Sequence, residues 1–263
     1  MDARVARIPW SRSSAKKLPA RIREAMADHW RASMEAEHRS AGIFATFVLD
    51  LMGAGAPARF LSVASAAALD EIRHAELCAR LCACYSGHDE VPSAGIPRVP
   101  DQRDLDAGEQ ALFQALFLSV AAETFSSVML ADVAEHARDP VVRAVTKIVL
   151  ADEVRHARLG WSYLAHLLAD PAKEAATRGF VKRQLVRVFD TAHDSLFGEA
   201  NDIPPASLRG RNGALATAHG YRPARENYRL FHATIPQVWI PAFAQLGFDA
   251  AVLATRYPRP RWL

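Results

Sequence analysis

The sequence has little of what several functional classes require. Its three cysteines, Cys78, Cys82 and Cys84, are crowded into one short stretch, and an odd number of thiols on one helical segment cannot staple a secreted fold. Reduced core thiols are expected, since three so close together have too little reach for a closed thiolate zinc site. No run of about eighteen uncharged apolar residues offers a membrane span, and the basic opening MDARVARIPWSRSSAKKLPARI lacks the apolar core of a secretion signal. A cytoplasmic protein with no membrane partner is expected. The formal net charge is only +3, with basic residues spread along the chain, so no nucleic acid or anionic surface is demanded either. No glycine-rich nucleotide fingerprint is present, so any reducing equivalents must come from elsewhere.

What the sequence does have is helix. Half of the residues are hydrophobic, enough for one all-α domain with a sizeable core. A basic arm, residues 1–18, precedes a first helix from about Pro19 to Met52, which stops at GAGAP. A second helix follows from about Ala58 to Tyr85. The proline-bearing SGHDEVPSAGIPRVPDQRD then reads as a long crossover. The third helix spans about Leu105 to Arg138 and the fourth about Pro140 to Ala169, separated by a tight break at RDP. Two antiparallel helix pairs joined by one crossover form a four-helix bundle over residues 19–169. Residues 170–263 extend it with a fifth helix, about Pro171 to Phe197, an irregular stretch, and a last helical segment in TIPQVWIPAFAQLGFDAAVLATRY.

One internal echo stands out: DEIRHAEL at 70–77 and DEVRHARL at 152–159. Glu71 and His74 lie one turn apart on a face with Ala67, Cys78 and Leu81, and Glu153 and His156 on a face with Val149, Gly160 and Tyr163. Both are core-directed stripes, where a lone ionised carboxylate costs several kcal/mol. Counting back from the turns supplies partners. Glu37 is as far before Ala54 as Glu71 is after it, and Glu123 stands to Glu153 in the same way about Arg138. Both groups then sit at comparable depth, about 22 to 26 Å from their turns. Glu35 is a rival to Glu37, but its face runs through His38, Arg39 and Gly42 and is wetter. Four carboxylates and two imidazoles, Glu37, Glu71, His74, Glu123, Glu153 and His156, match two divalent cations, and mixed oxygen and nitrogen donors favour iron or manganese, including a mixed Mn/Fe pair.

One Glu from each of two helices plus Glu-x-x-His from each of the other two is the dimetal pattern of ferritin-like proteins. With its doubled Asp-Glu-x-Arg-His, the chain resembles the ferritin-like di-iron carboxylate superfamily over roughly residues 20 to 170. Within it, the doubled motif is similar to the signature of bacterial multicomponent monooxygenases and acyl carrier protein desaturases. The resemblance implies that Asp70 and Asp152 accept the ring N–H of ligating histidines while Arg73 and Arg155 brace the carboxylates. It implies that Cys78 stands where a radical tyrosine sits in ribonucleotide reductase small subunits, and that Ser127, ahead of Thr124 and Ser126, offers a hydroxyl to bound oxygen. Where arylamine N-oxygenases of the superfamily have a further histidine, this chain has Val149, with His193 a possible substitute.

The resemblance further implies a non-haem di-iron oxygenase or oxidase that hydroxylates, N-oxygenates or desaturates a small organic substrate with dioxygen, supplied with electrons by a ferredoxin or flavin reductase. Two other readings stand beside it: an iron-storage or peroxide-detoxifying protein, and a non-catalytic helical scaffold. The apolar QVWIPAFAQLGFDAAVLA suits a substrate roof, a helix that closes the core, or a homodimer face.

Overall fold

The computed structural model describes residues 3–93, 95, 97, 100, 102–197 and 208–258, and these contain helices and no strand. The chain opens with a single turn, α1 (Ala3–Ala6), and two 3-10 turns at Trp10–Arg12 and Ala15–Lys17. Four long rods follow. The first two are α2 (Ala20–Gly53) and α3 (Ala58–Ser86). The third is α4 (Ala107–Gln114) continued by α5 (Thr124–His136), and the fourth is α6 (Pro140–Leu168). Their ends follow local chemistry. Pro57 precedes α3, and Gly87 closes it at φ 87. The Asp106 carboxylate accepts from Glu109 N at the start of α4, and Asp139 accepts from Val141 N and Val142 N ahead of Pro140 at the start of α6.

The third rod is not the uninterrupted α-helix its apolar sequence suggests. Ala115–Glu123 is a π-helical segment between α4 and α5. It presses on α6, where a Cβ added at Gly160 would stand 2.5 Å from the Ala115 carbonyl and 2.6 Å from Ser119 Cβ. Only a glycine permits that approach. Ala107–His136 is also long and apolar enough to cross a membrane, yet 56 % of its most apolar window is buried inside the protein.

Helix α2 packs along α3, α6 along α5 and the π segment, and α3 meets α6. The apolar interior divides into two clusters, one containing Met34, Ala75 and Val149, the other Phe44, Ala67 and Leu159. The gap between them on α2, α3 and α6 is where Glu37, Glu71, His74, Glu153 and His156 lie. Burying a large apolar side chain contributes on the order of 2 kcal/mol, so the two clusters together offset the cost of a charged layer between them.

Two regions differ from the sequence expectation. α7 (Glu174–Phe197) begins after Pro171, because the Asp170 carboxylate accepts from Ala172 N and holds the chain in a turn. The last segment starts earlier and is broken. α8 (Arg211–Thr217) is followed by α9 (Ala224–Thr234), a π segment at Ile235–Trp239, and α10 (Ile240–Gln245). After Gly247, at φ 78, the last helix among the described residues is α11 (Val252–Arg256). Pro236 and Pro241 have no N–H for a regular helical ladder. Ile235, Trp239, Phe243 and Leu253 are buried against Phe189 and Phe231, so this region closes the core. The irregular stretch after Phe197 and part of the crossover lie outside the described residues. The basic arm packs closely, with Ile8, Ala15 and Leu18 buried and Arg80 over the Trp10 ring at 4.0 Å.

Candidate metal centre

The six side chains come from four rods: Glu37 from α2, Glu71 and His74 from α3, Glu123 from the last position of the π segment, and Glu153 and His156 from α6. Two donor groups result, Glu37–Glu71–His74–Glu153 and Glu71–Glu123–Glu153–His156. Within each, the donor atoms lie within 4.8 Å of one another, so each can hold a metal ion. Glu71 and Glu153 belong to both. Glu71 directs Oε1 to His156 Nδ1 at 3.0 Å and Oε2 to His74 Nδ1 at 3.8 Å, while Glu153 directs Oε1 to His74 Nδ1 at 3.4 Å and Oε2 to His156 Nδ1 at 3.3 Å. Each carboxylate thus turns one oxygen to each side, so Glu71 and Glu153 could each contribute to both donor groups. Glu37 completes the His74 side at 3.5 Å from Nδ1.

The outer nitrogens are held by exchange between the two hexads. His74 Nε2 lies 3.3 Å from Asp152 Oδ2, and His156 Nε2 lies 3.3 Å from Asp70 Oδ2. Each aspartate thus orients the histidine of the other motif, which leaves Nδ1 of both rings to face the glutamates. The arginines tie the aspartates, not the glutamates. Arg73 donates to Asp70 at 2.6 Å and Asp152 at 2.5 Å, and Arg155 reaches Asp70 at 2.9 Å and Asp152 at 2.6 Å. Asp152 has one more partner, Arg4 of the N-terminal turn, at 2.8 and 3.2 Å.

Electrostatics follow from burial and these contacts. Burial and the neighbouring carboxylates push Glu123 well above the usual carboxyl range. Burial likewise raises Glu37, to about 8, against the opposing pull of His74. Burial would also raise Glu153, but close contacts with Glu123, His156 and His74 outweigh it and hold this carboxylate well below its ordinary value. For His156, burial opposes the charged ring, yet contacts with Asp70, Glu153 and Glu71 raise it to about 11, and His74 is raised in the same way by Asp152 and three glutamates. Burial of Asp70 is overcome by His156, Arg155 and Arg73, which bring it down to about 2. Without a metal the centre therefore holds extra protons that a cation would displace.

The fit to a metal rests on converging atoms. Glu71 Oε1, Glu153 Oε2, His74 Nδ1 and His156 Nδ1 are all buried and make no aligned hydrogen bond to any described residue, facing one another only as charge contacts at 3.0 to 3.8 Å. Four converging donor atoms held in this way are the set a cation would satisfy.

The remaining sequence candidates fall around this core. Glu35 is outside both groups, with its side chain 42 % exposed and paired to Arg39 at 3.7 Å. Ser127 donates its hydroxyl to the Glu123 carbonyl at 2.9 Å, bonding back one turn on its own helix. Cys78 is buried one turn past His74 and Val149 one turn before Glu153. His193 sits in a distant aromatic group, stacked on Tyr257 at 5.4 Å. Sequence reasoning missed Arg4, whose partner is 148 residues away. It also missed Trp239, whose Nε1 donates to the Val120 carbonyl in the π segment at 2.9 Å. A buried indole needs an acceptor, but nothing in the sequence says which. No family model, no curated protein and no solved structure matches the chain.

Proposed function

We propose that the chain is a dinuclear non-haem iron oxygenase or oxidase on a ferritin-like four-helix bundle, which uses dioxygen to oxidise a small organic substrate. The observation that carries the reading is the set of four buried, converging donor atoms on Glu71, His74, Glu153 and His156. Glu37 and Glu123 complete the two sides. Four carboxylates balance two ferrous ions, and hard oxygen with imidazole nitrogen suits iron or manganese. Two such ions would supply the redox chemistry that dioxygen reduction needs.

The protein's own part is to orient and to exclude. Asp70 and Asp152 keep the proton on Nε2 and turn Nδ1 inward. Phe44, edge-on to His156 with ring centroids 5.1 Å apart, and buried Cys78 keep water from the flanks. Glu37 is the most accessible of the four glutamates, at 21 % exposed, so exchange with solvent takes place on the α2 side. Electrons come from a separate donor, a ferredoxin or flavin reductase.

The test is metal content after anaerobic loading with ferrous ion, beside a Glu71→Ala, Glu153→Ala double variant. Close to two irons per chain in the parent and loss of both in the variant are expected, because the shared pair serves both sides. Iron binding unchanged by the substitutions would overturn the proposal. Oxygen uptake by the loaded parent with a reductase then separates an oxygenase from a storage protein.

A further inference from the structure

A cavity of about 430 Å³ opens at the end of the molecule where α2 turns into α3, walled by the starts of α4 and α7 and the end of α6. Its size is that of a small-molecule site. Leu112, Leu167 and Phe180, all buried, give it an apolar interior. Into this interior come two hydroxyls on residues that are almost fully enclosed, Tyr163 at 2 % and Thr177 at 5 % exposed. Neither hydroxyl has a hydrogen bond to any described residue. Neither hydroxyl is sealed from solvent although its residue is almost fully enclosed, so the cavity these residues line is where a partner can reach them.

The charged groups around the cavity are already engaged. Arg183 pairs with Glu109 at 3.0 Å, Asp106 caps α4, and Lys173 lies 3.9 Å from Asp170. His166 has Arg59 Nη2 at 3.1 Å from Nδ1, and since a guanidinium can only donate, Nδ1 accepts and Nε2 carries the N–H. Three donors, on Tyr163, Thr177 and His166, therefore line an apolar chamber at whose edge Arg183 and Glu109 pair with one another.

We infer that this cavity, with Tyr163, Thr177 and His166 as its polar contacts, binds a small uncharged carbonyl compound with an apolar body. The site is separate from the metal centre. Tyr163 is seven residues beyond His156 on α6, about 10 Å along the helix, and Phe60 packs on Tyr163 with centroids 5.2 Å apart. The inference does not depend on the metal reading, and occupancy is measured without turnover, so either can fail alone.

The experiment titrates the full chain with cyclohexanone, cyclohexanecarboxylate and cyclohexylammonium, three probes of one size and different charge, and follows backbone amide signals. Saturable shifts from cyclohexanone at Tyr163–Leu167 and Thr177–Phe180 are expected, with both charged analogues at least tenfold weaker. Tyr163→Phe and Thr177→Val keep the shape and remove one donor each, and each should weaken binding about five-fold. Ala176→Phe, at an exposed position on the wall, should abolish it while the fold is kept. Absence of saturable binding, equal binding of the charged analogues, or indifference to the two hydroxyl substitutions would overturn the inference.

Discussion

The two halves of the centre use the same hexad and build it on different frameworks. In the first half, Glu37 stands on α2, a regular helix, and the residue one turn past His74 is Cys78, which fills its space. In the second, Glu123 ends a π segment, and the residue one turn past His156 is Gly160, which any side chain would drive into the Ala115 carbonyl. The outer ties differ too: Asp152 is fully buried under four partners including Arg4, whereas Asp70 is 13 % exposed and has three. Sequence symmetry in the ligands thus does not extend to the scaffold. π segments concentrate at functional sites, and here one serves to deliver a glutamate from an otherwise apolar rod.

The largest expected effect is on metal affinity with pH. His74 and His156 hold protons in the metal-free form, and Glu37 does so up to about 8, so affinity for ferrous ion should rise by about tenfold or more per pH unit between 6 and 8. Because Glu123 is more deeply buried than Glu37 and burial raises it well above the usual carboxyl range, the His156 side should show the steeper dependence. Calorimetric titrations of Glu37→Gln and Glu123→Gln check this, and equal slopes would remove the distinction between the halves. The same protons set the stability of the metal-free form. Groups with raised values stabilise it below their unfolded pKa and lose that contribution as pH rises through the folded one. The thermal midpoint should therefore fall between pH 6 and 9, and added metal should flatten the fall. On the acid side Asp70, held at about 2, loses its contribution as pH drops below about 4.

Next come the aspartates. Asp152→Asn leaves the buried His74 and three partly exposed arginines without their carboxylate and should cost about 3 kcal/mol in denaturant unfolding, against about 1 kcal/mol for Asp70→Asn. Equal costs would show that the Arg4 contact adds nothing. Gly160→Ala should cost about 2 kcal/mol by overpacking the π segment, whereas Cys78→Ala, in the regular half, should cost about 1 kcal/mol. Smallest is Arg4→Ala. Its guanidinium is 39 % exposed, so solvent screening limits the loss to about 1 kcal/mol, with weakened metal binding on the His74 side only. Arg4→Lys, lacking the forked geometry, should restore part of it.

The parts of this layout that could be read in advance are the local ones. Glu-x-x-His puts two donors on one helical face whatever surrounds it, and short turns let Glu37 and Glu123 be counted opposite Glu71 and Glu153. Glu37 is chosen over Glu35 because its face carries Trp30, Met34 and Phe44, all buried. The π segment did not show, since ALFLSVAAE is as good an α-helix as a π-helix by composition. Its contacts are remote in sequence, with Gly160 on α6 and Trp239 near the far end of the chain.

The sequence by itself determined the four long rods, their order, and which charged side chains must share the interior, because helical periodicity and antiparallel turns are short-range constraints. Only the tertiary structure decided that each aspartate serves the other motif's histidine, that Glu71 and Glu153 are the shared pair, and that Arg4 closes one side alone. Those choices depend on the azimuth and spacing of rods packed against one another. No local pattern encodes them.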